Sequence, residues 1–135
     1  MSKLITRDDL KAILDKILPS DQVDYVVEQG TSGIWTYRKW SSGKAELWGT
    51  WSGNLTHYAQ VFGGYAFYTD AIPYPNGFFL EKPNAQYTGT IGSGFCLTGT
   101  ILANSTKDHI TCYGVGTSNG TQACIFYIYA TGEWK

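Results

Sequence analysis

The chain has 135 residues, a net charge of −1 and only 16% charged residues, against 16 Gly, 10 Tyr, 6 Phe and 5 Trp. That is one domain's worth of sequence with the vocabulary of a β-protein, and its ten basic residues are spread too evenly to mark a nucleic-acid or anionic-membrane surface. No stretch approaches the roughly 18 apolar residues of a membrane span, and the opening MSKLITRDDLKAIL carries acids where a signal peptide has its apolar run, so a soluble protein not exported by its own signal is expected.

In chain order, TRDDLKAILDKIL at 6–18 reads as the one convincing helix. Thr6 can cap it, Asp8 and Asp9 suit its positive N-terminal end, and Pro19 follows its last turn. Leu10, Ile13, Leu14, Ile17 and Leu18 fall on one face, and a helix this short is marginal alone in water. Its stripe therefore packs either on its own domain or on copies of itself, and the spacing fits both. The expected division is a helical segment over 1–20 and a β-rich unit over 21–135.

From residue 23 onward the period changes to two, with runs near 23–29, 33–40, 44–51, 58–68, 77–81, 86–91, 94–103, 109–115 and 122–130. Ser41-Ser42-Gly43 reads as a hairpin loop, Gly63-Gly64 as a break between aromatic runs and Ser118-Asn119-Gly120 as a turn. Many short strands at close spacing predict an all-β fold, a sandwich or a jelly-roll-like barrel.

Four of the five tryptophans lie between Trp35 and Trp51. By strand alternation Trp35 and Tyr37 share one face, with Ile34, Thr36, Arg38 and Trp40 on the other. In the next run Ala45, Leu47 and Trp51 oppose Lys44, Glu46 and Trp48. Aromatic residues on both faces mean that protein covers both, or that one is an exposed sticky surface. Arg38, Lys39 and Lys44 can pair with Glu46 or stack on neighbouring indoles.

Chemistry is sparse. His57 and His109 stand alone in sequence and read as satisfied or surface histidines; Asp70, Glu81, Asp108 and Glu133 have no spacing that marks a glycosidase pair; and GTIGSG at 89–94 has no following helix and no Lys-Ser/Thr ending. Cys96, Cys112 and Cys124 read as buried thiols, ahead of one disulfide plus a free thiol or a metal site. No catalytic group, cofactor or metal is expected. Binding is easier to support, because YAFYTDAIPYPNGFF sets aromatic rings beside hydrogen-bonding side chains. Tyr68, Asp70, Tyr74 and Asn76 are the candidate ligand contacts. The competing reading has this segment crossing between two sheets, with Tyr74 and Phe78 plugging the end of a sandwich.

VVEQGTSGIWTYRKWSSGKAELWGTW, followed at the end of the chain by IYATGEWK, resembles the C-terminal domain of tail-fibre, receptor-binding and capsid-fibre proteins of phages that infect Gram-positive bacteria. There GxWxYRKWxSGxAExWG opens the domain and YAxGxWK closes it. Leu47 departs from the pattern, at a position often cysteine in that family, so no thiol function comes with the motif. The resemblance implies a homotrimeric fibre in the virion, made in the bacterial host's cytoplasm, whose β-rich head sits on a helical stem of which the N-terminal helix is the stub. It carries over Trp35, Arg38, Trp40, Glu46 and Trp48 as signature positions. With Trp51 and the helix residues Leu10, Ile13 and Ile17, these are expected in core or interface. The implied function is attachment to a bacterial cell-surface saccharide, with a purely structural or decorating tail or capsid fibre as the alternative and a glycan depolymerase third.

Overall fold

A computed structural model describes residues 6–17, 23–92, 94, 96–99 and 105–135. The helix α1 spans Arg7–Ile17. Thr6 Oγ1 accepts from the Asp9 amide at 3.1 Å and Asp9 Oδ2 accepts from the Thr6 amide at 3.2 Å, a reciprocal cap that satisfies two otherwise orphaned donors. Leu10 and Ile13 stand 51% and 44% exposed, so this part of the apolar stripe is not covered by its own domain. Leu18, Pro19 and the boundary at 20 and 21 lie outside the described residues, as do the side chains of Leu14 and Ile17.

Eleven strands follow among the described residues: β1 (Val26–Ser32), β2 (Trp35–Trp40), β3 (Lys44–Thr56), β4 (Ala59–Val61), β5 (Gly64–Tyr68), β6 (Ile72–Pro73), β7 (Asn84–Ile91), β8 (Cys96–Gly99), β9 (His109–Ile110), β10 (Tyr113–Gly116) and β11 (Thr121–Glu133). They form an antiparallel five-stranded sheet in the order β1-β2-β3-β11-β7, a four-stranded sheet β4-β5-β10-β8, and the short pair β6-β9. The architecture is all-β and sandwich-like, as the period-two runs predict.

The chain ends as a central strand. β11 pairs with β3 without a break from Lys44↔Glu133 to Thr56↔Thr121, while β7 takes its other edge. Alternation then sorts the side chains. Trp35, Ala45, Leu47, Cys124, Phe126, Ile128 and Ala130 turn inward and meet Phe67, Ile110 and Cys112 in one core, with Trp51, Leu55 and Tyr87 packed at its margin. Tyr87 ties the sheets together: its hydroxyl accepts from the Tyr113 amide at 3.0 Å and its carbonyl from Thr98 Oγ1 at 3.1 Å.

Three elements differ from the sequence expectation. The run at 77–81 is not a strand, because Phe78 and Phe79 are adjacent and both buried, 4% and 3% exposed, which alternation forbids. The run at 58–68 divides into β4 and β5 at a two-residue turn, Phe62-Gly63, with φ of 50° and 73°. The run at 109–115 divides into β9 and β10, and β9 pairs with the unforeseen β6. The run at 94–103 survives as β8, its later part lying outside the described residues.

Candidate binding clefts around Asp70

The segment from Thr69 to Phe79 leaves the end of β5 and is pinned to three neighbours. Thr69 donates its amide to the Cys112 carbonyl at 2.9 Å and accepts the Cys112 amide on Oγ1 at 3.0 Å, which satisfies a buried hydroxyl. The β6-β9 pairing holds Ile72 and Pro73 against Ile110 and His109. The Pro73 carbonyl accepts the Trp35 indole N–H at 2.8 Å, and the Tyr74 amide donates to the Asp108 carbonyl at 2.9 Å. A proline-rich loop is thereby fixed as firmly as a strand, which makes it a rigid carrier for what projects from it.

Of the four candidate contacts, Tyr74 points inward. It is only 5% exposed, with the Trp35 and Phe79 rings at centroid distances of 5.5 and 5.3 Å. The expectation of Tyr74 as a free stacking platform is corrected on this point: its ring faces the core, and together with Phe78 it fills the end of the sandwich. Burial raises its phenol well above the usual range, and its hydroxyl has no hydrogen-bond partner among the described residues.

Tyr68, Asp70 and Asn76 remain exposed. Asp70 borders two clefts. The first, of about 650 Å³, has Trp35, Trp51, Leu55 and the Tyr74 edge as its apolar lining, with Ser32, Asn54, Asp70 and Asn76 as polar lining. The second, of about 400 Å³, is lined by Tyr68, Asp70, Thr106, His109, Thr111 and Tyr113. Tyr68 and Tyr113 are register partners across β5 and β10, their rings stacked at 5.8 Å and 28°, and Tyr58 stands edge-on to Tyr68 at 4.8 Å. Tyr58 and Tyr68 are 52% and 45% exposed. The Asp70 carboxylate has no ion-pair or hydrogen-bond partner among the described residues.

The arrangement can hold a ligand with apolar faces and hydroxyl edges: rings supply stacking, and Asp70, Asn76 and Thr106 supply acceptors and donors. Sequence reasoning placed Tyr68, Asp70 and Asn76 in this region and missed Tyr58, Tyr113 and the cleft-lining position of Trp51. Tyr113 stands on β10 and Tyr58 just before β4, and only the β5-β10 and β4-β5 registers bring them to Tyr68.

His57 is structural. Its Nδ1 accepts the Gly120 amide at 2.8 Å and its ring meets Tyr65 edge-on at 5.0 Å. His109 Nδ1 lies 3.2 Å from Thr106 Oγ1 at the rim of the second cleft. All three cysteines are free thiols; burial raises all of them, Cys112 up to about 12. Among the described residues no group of His, Cys, Asp and Glu is arranged to hold a metal ion.

The other face of the tryptophan hairpin forms a separate surface. Arg38 lies over the Trp48 ring at 5.3 Å, and Glu46 accepts from the Trp40 indole at 2.8 Å and from the Tyr129 hydroxyl at 2.6 Å. These bonds, the Tyr129 one foremost, hold the Glu46 carboxyl below its usual range. Of the core-or-interface set, Trp35 is buried and Trp51 packs on the core, whereas Arg38, Trp40, Glu46 and Trp48 belong to this outward face.

Comparison of the chain with protein-family models, with curated proteins and with solved structures returned no match.

Proposed function

We propose that this domain is the adhesive head of a phage fibre and that it holds a bacterial surface saccharide in the clefts flanking Asp70. The observation that carries the reading is the first cleft, whose apolar lining of Trp35, Trp51, Leu55 and Tyr74 is bordered by the exposed Asp70 and Asn76. A pyranose offers the complement, C–H faces to stack on the rings and hydroxyls to meet Asp70 and Asn76. The rigid attachment of the Thr69–Phe79 segment reduces the ordering cost of binding. The fibre assignment rests on the two terminal motifs and their resemblance, and it takes the domain as trimeric and non-enzymatic.

A glycan array probed with the whole chain tests this. Specific signals for one class of saccharide are expected, lost in Asp70→Ala and Asn76→Ala, both exposed positions whose truncation leaves the core intact. An array without signal, or signals unaffected by both changes, overturns the cleft assignment. The purely structural fibre has its own observation in the outward aromatic face and the uncovered stripe of α1, both of which suit assembly. A chain that associates but binds no glycan favours it.

A further inference from the structure

Asp70 and Ala71 line both clefts, and both residues are exposed. One cleft is lined by Trp51, and the other by Tyr68 and Tyr113, with Tyr58 edge-on to Tyr68. One sugar ring stacks on one aromatic surface; it cannot serve two that are separated by a stretch of backbone. A monosaccharide in either cleft would leave the other platform in water.

Charge adds a second constraint. Among the described residues neither lining contains a lysine or an arginine, and the carboxylate shared by both has no partner that neutralises it. Lys107 and Asp108 follow Thr106 as an exposed pair of opposite sign. An anionic ligand would bring its charges up to an unpaired carboxylate with no cation in the lining to receive them, and like charges in apposition oppose binding.

Resting on the saccharide reading above, we infer that the ligand is an extended, non-anionic oligosaccharide that crosses Asp70, with one unit stacked over Trp51 and another on Tyr68. Asp70 accepts hydrogen bonds from hydroxyls of the units on either side of it. The second contact is made by a ligand already held at the first, so its gain appears as a steep dependence of affinity on chain length.

The experiment titrates the chain with mono-, di-, tetra- and hexamers of glucose, galactose, rhamnose and N-acetylglucosamine, alongside polygalacturonate and poly(glycerol phosphate), by calorimetry or biolayer interferometry. At least one neutral series should tighten by about tenfold or more between the dimer and the tetramer or hexamer. Tyr68→Ala should abolish that gain, because Tyr68 is an exposed residue that lines the second cleft and not the first. Tyr58→Ala serves as the second variant if Tyr68→Ala unfolds, with thermal melting as the check on both. Equal affinity for dimer and hexamer, or a length gain that survives both variants, overturns the inference while leaving a single-cleft saccharide site standing. Tighter binding of either polyanion than of every neutral oligomer also overturns it. Absence of binding across the whole panel, together with a silent array, removes the parent reading as well.

Discussion

At the scale of single residues, Phe62 stands out because every local rule opposes it. It is fully exposed, it occupies the left-handed region at φ 50°, and it precedes Gly63 in a two-residue hairpin turn. Asn-Gly is the pair such turns favour, since a bulky residue in that region costs roughly 1–2 kcal/mol. Phe62→Asn should therefore stabilise the domain by about 1 kcal/mol and raise its melting temperature by a few degrees; a lower melting temperature would mean that the ring packs after all. The three thiols give a second test at this scale. With Cys112 and Cys124 buried, Cys96 half-buried and burial disfavouring every thiolate, a thiol reagent should label the native protein slowly, Cys96 first. Reductant should leave the melting curve unchanged, and a reductant-induced shift would show that a disulfide had formed.

Among the elements, the β2-β3 hairpin and the residues that follow β11 pack against each other. The Trp134 amide donates to the Gly43 carbonyl at 2.9 Å and its indole to the Trp40 carbonyl at 2.8 Å, while Lys39 lies 5.4 Å from the ring centroids of both Trp134 and Phe78. The GEWK ending is thus the edge of the hairpin's own packing. Its glycine is fixed by contact as well: a Cβ on Gly132 would sit 2.8 Å from the buried Phe79 ring. On the outward face, Glu46 joins β2, β3 and β11 through Trp40 and Tyr129, and its carboxyl titrates lower folded than unfolded. A depressed carboxylate contributes stability that is complete above its unfolded value and is lost as pH falls through the folded one. Tyr129→Phe removes the largest cause of the depression. The stability gap between wild type and variant should be widest near neutral pH and narrow in acid, as followed by denaturant unfolding from pH 7 to 3. A gap independent of pH would assign the bond no electrostatic role.

For the molecule as a whole, the legible part of the sequence was the local part. Alternation from Trp35 to Trp51 sorts the hairpin faces correctly, because a strand's side-chain period does not depend on what it pairs with. The same rule failed at Phe78 and Phe79, where a pinned loop buries neighbours, and it could not find Tyr58 or Tyr113, which register alone carries to Tyr68. What covers the outer surfaces was equally out of reach, because a helix stripe reads the same against its own domain or against a copy. The exposure of Leu10 and Ile13 bears on that choice. An apolar stripe left in water favours association, and three copies of α1 bundled side by side would cover it while placing three heads around one axis. Light scattering after gel filtration should accordingly give about three times the chain mass. The double change Leu10→Asp and Ile13→Asp should lower that mass and leave the melting temperature of the β-domain within about a degree, since neither residue is in its core. If the wild-type chain is a monomer at micromolar concentration, the stem reading of α1 fails. A mass unchanged by the double variant would move the assembly contact from the helix to the sheet face of Arg38, Trp48 and Tyr129.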